Sequence, residues 1–329
     1  MEYRKMWRLT FLFRWAVRAL ATTGVMLAAG LFLIGLTPGV SRACACGCGV
    51  FEVGTSSLFP DSPGGRVWFE TDFMDQYLNW HATQIASAAN NSDKIIRTHF
   101  YSLGAQYMFS HDWGVMAEIP YWERTFKTTD DAGAIQKFTH SALGDVRIEG
   151  MYTGFSEDMS TGILFGLKVP SGDYTYPNFD RDTEIGTGST DLLLGGYHQG
   201  ILPFTFMDRS FGWYTQGNFQ QEFWTRAHYQ PGKEIDAALG GYYNIGAIGF
   251  LKEIAPLLSL IASRRWEDHG SAANTPDSGY TRLLLAAGGE IKIAAARLYA
   301  DAELPVFQNV NGNQLTAPVL FKTILSYDF

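Results

Sequence analysis

The last thirteen residues of the chain, 317–329, alternate between two kinds of side chain. Phe321, Leu325 and Phe329 fall at odd positions, whereas Lys322 and Ser326 fall at even positions. Because successive side chains of a strand point to opposite faces, the segment predicts a strand with one apolar and one mostly polar face. A strand of this kind that ends on an aromatic residue is typical of the closing strand of an outer-membrane β-barrel, whose outer surface is apolar and whose lumen is polar.

Similar segments recur from Arg66 onwards, each about ten residues long, a length that suits a tilted membrane strand. In the first of them, Phe69 and Phe73 share one face and Glu70 and Asp72 the other. We therefore predict an all-β fold, a transmembrane antiparallel up-and-down β-barrel of about 12 strands, with 10–14 allowed by uncertain strand boundaries.

The connections between these segments alternate in length, which predicts the orientation of the barrel. Residues 79–96, 123–142, 170–187 and 305–316 form long predicted connections, and residues 110–112, 156–159 and 289–291 form short ones. Outer-membrane barrels have long extracellular loops and short periplasmic turns. The pattern predicts an even strand number with both termini in the periplasm, in the bacterial outer membrane. A soluble all-β sandwich or barrel is the alternative.

The composition excludes other classes of protein. The mean hydropathy of −0.06 is too low for a helical membrane protein, while 35 glycines and 15% aromatic residues suit an all-β chain with many turns. Residues 44–329 carry 32 acidic and 19 basic side chains, a net charge of −13. Nucleic-acid binding needs a basic surface, so we expect no nucleic acid among the partners.

Residues 1–43 have the composition of a signal peptide. A basic region that includes Arg4, Arg8 and Arg18 precedes an uncharged apolar run, and Ala43 ends a stretch of small residues suited to cleavage. A retained membrane anchor is one alternative, and lipidation of Cys44 is another. The predicted organisation is a signal peptide over 1–43, a periplasmic or plug segment over 44–65, and a barrel over 66–329.

Three cysteines, Cys44, Cys46 and Cys48, lie within five positions directly after this signal. Closely spaced thiolates suit Cu(I) or Zn, which predicts a metal site. An intermolecular or redox-active disulfide is the alternative in an oxidising periplasm, although a bridge between alternating cysteines would be strained. Removal of Cys44 by cleavage would leave only two of the three thiols.

Charged side chains on the predicted inner face are the candidates for solute selection. Opposed acids and bases across a narrow pore create a field that discriminates between solutes. The structural alternative is that these charges pair and fill the barrel. The candidates are Glu118, Asp145, Arg147, Glu149, Lys168, Glu222, Arg297, Asp301 and Glu303.

No residue pattern indicates a catalytic site. The seven histidines are scattered, and a nucleophile with its base cannot be recognised by spacing alone in a lumen this polar. We therefore predict that the chain is not an enzyme. Aromatic residues near strand ends, among them Tyr77, Trp113, Tyr121 and Trp122, are interpreted as interfacial girdles.

Four segments carry a family resemblance: ALGDVRIEGMY at 142–152, KVPSGD at 168–173, GTGSTD at 186–191 and LPVFQNVNGNQL at 304–315. Their order and spacing resemble the bacterial outer-membrane family described as MetA-pathway of phenol degradation proteins. The resemblance implies a single-chain barrel that moves small, aromatic or hydrophobic molecules, and it supplies no catalytic residue.

The expected function is thus that of an outer-membrane channel or transporter for a small-molecule solute. The alternative is a metal-binding or sensing outer-membrane protein that uses the CACGCG segment, with the barrel as its anchor. The expected partners are the lipid bilayer and the barrel assembly machinery, which would recognise the C-terminal Phe329. No cofactor is expected beyond Cu or Zn at the three cysteines.

Overall fold

A computed structural model describes Val53, residues 55–206 and residues 208–329. The predicted signal peptide and the three cysteines lie outside the described residues. The described chain is almost entirely β-structure. Its strands are β1 (Gly64–Gln76), β2 (Leu78–Ala82), β3 (Gln84–Ile85), β4 (Asp93–Met108), β5 (Trp113–Thr129), β6 (Ile135–Leu143), β7 (Val146–Tyr152), β8 (Thr161–Val169), β9 (Thr190–Phe206), β10 (Arg209–Trp224), β11 (Glu234–Tyr243), β12 (Glu253–Arg265), β13 (Tyr280–Ile293), β14 (Ala296–Thr316) and β15 (Leu320–Asp328).

Twelve of these strands close into an antiparallel barrel. Going round the barrel, β1 is followed by β4, β5 and then β7 to β15 in sequence order, and β15 pairs with β1. The closing ladder joins Arg66 to Asp328 at one end and Met74 to Leu320 at the other. Closure leaves the barrel wall without an unpaired edge, as a membrane requires. The predicted fold and strand number are confirmed.

The alternation in β15 places its side chains as the sequence predicts. Phe321 and Leu325 are exposed on the outer surface, whereas Lys322 and Ser326 are almost fully buried inside the barrel. Exposed apolar side chains cover the outside of the other barrel strands in the same way, as lipid contact demands. Among the described residues, no helix has the length and apolar character needed to cross a bilayer.

The two ends of the barrel differ in the length of their connections. At the end that holds Gly64 and Phe329, here called the proximal end, the strands are joined by short links such as 109–112 and 294–295. At the opposite, distal end, the longest link is 170–189. An even number of strands places the start of β1 and the end of β15 at the same end.

Several distal connections are strand extensions rather than free loops. β6 pairs with the distal part of β5, and β7 then continues along the same edge of β5 after an interruption at Gly144 and Asp145. The prediction of a loop over 305–316 is wrong, because these residues belong to β14. They pair first with β13 and then, beyond Gly312, with β2. The positive φ of 57° at Gly312 marks the turn between the two ladders.

Candidate functional site

Within the described part of the chain, two cavities of the barrel interior lie on either side of one stretch of chain. Residues 55–60, here called the plug segment, lie inside the barrel, and Thr55 and Phe59 contribute to the walls of both cavities. The distal cavity has a volume of about 200 Å³ and the proximal cavity about 290 Å³. The plug segment therefore lies between the two cavities.

Aromatic stacking holds the centre of the plug segment against the wall. The ring of Phe59 stacks on Tyr197 of β9 with 4.2 Å between centroids, and it meets Tyr214 of β10 edge-on at 6.1 Å. Phe59 and Tyr214 are at least nine-tenths buried, as is Tyr197. Aromatic pairs with these geometries add about 0.5–1.5 kcal/mol each beyond burial of their area.

Two buried cations hold the backbone of the plug segment and of Val53, which precedes it. The Lys322 ammonium donates a hydrogen bond of 2.8 Å to the carbonyl oxygen of Val53. The Arg66 guanidinium donates to the carbonyl oxygens of Ser57 at 2.8 Å and Phe59 at 3.0 Å. Because these carbonyls would otherwise lie unpaired inside the barrel, charged donors from β1 and β15 stabilise the plug segment in place.

The distal cavity is covered by the connection between β8 and β9. This connection, residues 170–189, is here called the lid. Ile185, in the second half of the lid, is 1% exposed and lines the distal cavity. Arg124 of β5 donates hydrogen bonds to the carbonyl oxygens of Thr183 at 2.7 Å and Glu184 at 3.1 Å. The lid therefore folds into the barrel mouth and is fastened to the wall.

Asp145 and Lys168 form the main attachment of the lid. The Asp145 carboxylate accepts hydrogen bonds from the backbone N–H of Gly172 at 3.0 Å and of Thr187 at 2.8 Å. The Lys168 ammonium lies 2.7 Å from the Asp191 carboxylate and donates to the Thr187 hydroxyl at 2.8 Å. Both ends of the lid are thus tied to the interruption between β6 and β7.

Three of the segments that carry the family resemblance meet at this attachment, since they contain Asp145, Lys168 and Thr187 respectively. Their glycines allow the chains to approach closely. A Cβ on Gly172 would lie 2.9 Å from the Cα of Gly186, so a larger residue would push the two ends of the lid apart.

The outer part of the lid carries a carboxyl group with an altered proton affinity. Burial raises the pKa of Glu184 to about 7, against the opposing effects of the backbone N–H of Tyr176 and the Arg181 guanidinium. Arg181 lies 3.0 Å from Glu184 and stacks over the ring of Tyr229 at 4.5 Å, in the connection between β10 and β11. The lid therefore reaches across the barrel mouth.

Acidic side chains dominate the middle of the distal cavity. Glu118 of β5 is paired in register with Arg147 of β7, and Glu149 is the next inward residue on β7. Glu70 and Asp72 of β1 line the same cavity. Trp68, Phe100, Trp122, Met151 and Leu164 supply its apolar surface.

Asp301 and Glu303 lie below this cavity and face the buried Lys322. Both carboxyls act electrostatically on the Lys322 ammonium, together with Glu70 and Asp72. Neither Asp301 nor Glu303 lines one of the two cavities. They form a buried ionic cluster that surrounds the cation holding Val53.

The remaining two candidates lie apart from the distal cavity. Arg297 lines the proximal cavity and joins Asp61, 2.6 Å away, and Asp328, 3.2 Å away, at the proximal rim. Glu222 on β10 accepts a hydrogen bond of 2.7 Å from Gln230. The nine candidates are thus distributed over the distal cavity, the buried cluster, the proximal rim and β10.

The candidate metal ligands Cys44, Cys46 and Cys48 lie outside the described residues. Within the part of the chain that the structure describes, no group of three or more His, Cys, Asp and Glu side chains is arranged to hold a metal ion.

Sequence reasoning missed several residues of the lumen. The placement of Trp122 in an interfacial girdle is wrong, because its side chain packs inside the barrel against Phe100, with 4.9 Å between ring centroids. The signal was its even position on β5, in phase with Glu118 and Arg124. No sequence signal identified Tyr197 and Tyr214 as the residues that face Phe59.

Comparisons with known proteins identify the fold. No protein-family model matches the sequence, and no curated protein sequence matches it. The outer membrane channel from Pseudomonas putida F1 superimposes with a TM-score of 0.63 at 12% identity, covering 84% of this chain and all of that one. The β domain of the Bordetella autotransporter BrkA gives 0.49 at 14% identity, covering 81% of this chain and all of that one.

The first of these similarities shows the fold of an outer-membrane β-barrel. Together with the closed ladder and the apolar outer surface, it places the chain in the bacterial outer membrane.

Proposed function

We propose that this protein is an outer-membrane channel that passes small solutes through its barrel lumen. The observation that carries the proposal is the interior itself: two cavities of about 200 and 290 Å³ follow one another along the barrel and are separated by the plug segment. A barrel built only as an anchor has its interior filled by side chains, as small barrels do. The P. putida protein of the same fold is described as an outer membrane channel, which supports the proposal.

The size and lining of the distal cavity favour small solutes with an apolar part. Trp68, Phe100 and Trp122 form one wall, and charged side chains such as Glu118 and Arg147 form another. A lining of this mixed kind suits small aromatic or hydrophobic molecules that carry a polar group. This agrees with what the family resemblance implies.

Passage requires two local movements, because the lid covers the distal cavity and the plug segment closes its lower end. The lid is held mostly by polar contacts of Asp145 and Arg124, and the plug segment by Phe59 and two buried cations. Segments attached in this way open with a smaller free energy than the barrel wall, in which every strand is paired. The short proximal links favour an orientation with both termini in the periplasm.

A metal-binding or sensing role for Cys44, Cys46 and Cys48 remains the second hypothesis, supported by the spacing of the three thiols. A liposome-swelling assay with the full mature chain, combined with metal analysis of the same preparation, separates the two. Swelling in small sugars and amino acids without bound Cu or Zn supports the channel. Bound metal without swelling, lost in the triple Cys→Ser variant, supports metal binding and contradicts the channel.

A further inference from the structure

The distal cavity has room for one small ring. An apolar cavity of about 150 Å³ is known to bind benzene, so the volume of about 200 Å³ leaves space for a single ring with a short substituent. Trp68, Phe100 and Trp122 present aromatic surface to this space. Aromatic faces attract cations as well as apolar groups, because the ring carries negative charge on its face.

Carboxyl groups outnumber cations in the middle of this cavity. Glu70, Asp72, Glu118 and Glu149 line it there beside Arg147. Over the whole lining, eight carboxyl groups face five cations, which are Arg124, Arg147, Lys168, Arg181 and Arg265. Glu118 acts electrostatically on both Glu70 and Glu149, so the carboxyl groups of β1, β5 and β7 form one interacting group. Lys322 does not interact with this group alone, since Asp301 and Glu303 also surround it.

Two buried acceptors in the same wall point to a ligand that donates hydrogen bonds. Asp72 Oδ1 and Gln106 Oε1 accept no hydrogen bond from the described residues, and both side chains line the distal cavity. Each residue is only 5% exposed. A buried acceptor left without a donor has lost its hydration without compensation, and a bound donor would restore the missing hydrogen bond.

The polar atoms that line the cavity also restrict which other groups the ligand can carry. Trp68 Nε1 is a buried donor that has no acceptor among the described residues, and Trp68 lines the cavity. A ligand with an ammonium group and one acceptor, such as a hydroxyl, would satisfy both kinds of atom. An anionic ligand would face more carboxyl groups than cations.

We propose that the distal cavity is a binding site for a small organic cation. This cation is a primary ammonium group attached to a single aromatic ring or to an apolar group of the same size. The proposal rests on the channel function proposed above, because it assigns a solute class to the same lumen. It is independent of the three cysteines.

The test uses the full mature chain in liposomes and three probes of one shape: benzylammonium, benzoate and benzyl alcohol. A cavity of one charge sign raises the local concentration of the opposite ion by about tenfold or more, so benzylammonium should enter about tenfold faster than benzoate in protein-dependent flux. The double variant Glu118→Gln/Glu149→Gln should lose most of this preference. The control Glu123→Gln changes an exposed acid of the same strand and should keep it.

A second measurement keeps the outcomes distinct. Benzylammonium should quench tryptophan fluorescence of the detergent-solubilised barrel saturably, and less so in Asp72→Asn, a variant that serves if the double variant does not fold. Equal flux of all three probes, or faster benzoate flux, overturns the cation site but leaves the channel standing. No flux of any probe, with saturable quenching by benzylammonium, contradicts the channel and retains the site. Absence of quenching overturns the site.

Discussion

The Lys322 ammonium of the last strand donates a hydrogen bond of 2.8 Å to the carbonyl oxygen of Val53, more than 260 positions earlier in the chain. This contact joins the closing strand to the chain that enters the lumen. Glu70, Asp72, Asp301 and Glu303 surround the same ammonium. A single side chain therefore holds the chain just before the plug segment and neutralises part of a buried acidic cluster.

Replacing Lys322 with Met should destabilise the barrel. Removing one partner of a buried ionic cluster leaves uncompensated charge and costs about 3–5 kcal/mol. The measurement is the free energy of unfolding in urea, followed by tryptophan fluorescence of the barrel in lipid vesicles. Lys137→Met, which alters an exposed lysine of β6, is the control and should remain within about 0.5 kcal/mol of wild type. A Lys322→Met protein as stable as that control would refute this role.

Asp145→Asn should loosen the lid without unfolding the barrel. The carboxylate accepts two backbone hydrogen bonds from the lid, and bonds to charged groups contribute about 1.5–3 kcal/mol each. Loss of one such bond should raise the hydrogen-exchange rates of the backbone amides of residues 172–189 by about tenfold. Asp131→Asn, in the connection between β5 and β6, is the exposed control. Unchanged exchange in Asp145→Asn would show that the lid is held elsewhere.

The lid should be more firmly closed in mild acid. Burial raises the pKa of Glu184 from an ordinary 4.5 to about 7, and burial likewise raises the pKa of Asp182 well above its usual range. Between the ordinary pKa of 4.5 and the raised pKa of about 7, the closed lid therefore binds more protons than the open lid. Its stability is greatest at the acidic side of this window and falls as the pH rises towards 7.

The check is hydrogen exchange of the lid between about pH 5 and about pH 8, corrected for intrinsic rates, in wild type and Glu184→Gln. Wild-type protection should decrease with pH, and the variant should show a smaller decrease because only Asp182 remains. Protection that increases with pH would contradict the assignment of both groups.

Deletion of Phe329 should reduce insertion into the outer membrane. Phe329 exchanges two backbone hydrogen bonds of 2.8 Å with Gly65, and its ring lies over Gly65, where a Cβ would be 2.2 Å away. The residue thus closes the last rung of the barrel at the proximal rim, where we propose that the barrel assembly machinery recognises it. The readout is the amount of heat-modifiable protein in outer-membrane fractions, with Phe155→Ala as control. Equal levels would count against recognition at this end.

The wall of the barrel follows from the sequence because its rule is local. Side chains alternate with period two, so Phe69 faces lipid and Asp72 the lumen once β1 is recognised. The same rule also fixes Lys322 inside and Phe321 outside. The closure of β1 against β15 follows from the need to pair every edge strand in a membrane.

The contacts between distant loops do not follow from any local rule. Asp145 and Lys168 were candidates for solute selection by their position on the inner face, and both do line the distal cavity. Their hydrogen bonds to Thr187 belong to the attachment of the lid, which no spacing in the sequence reveals. The loop prediction over 305–316 fails for a related reason, since the residues from Val310 onwards pair with β2, more than 220 positions earlier in the chain.

The central proposal is a conducting lumen closed by the plug segment, and single-channel recording of Phe59→Ala in a planar bilayer tests it most directly. Removing the ring abolishes its stacking on Tyr197 and its contact with Tyr214, and it opens space between the two cavities. Wild type should give small, discrete current steps, and Phe59→Ala should give larger ones, with Phe204→Ala on the outer surface unchanged. Folded Phe59→Ala barrels that conduct no more than wild type would contradict the closure, and the absence of current steps from all three proteins would contradict the channel.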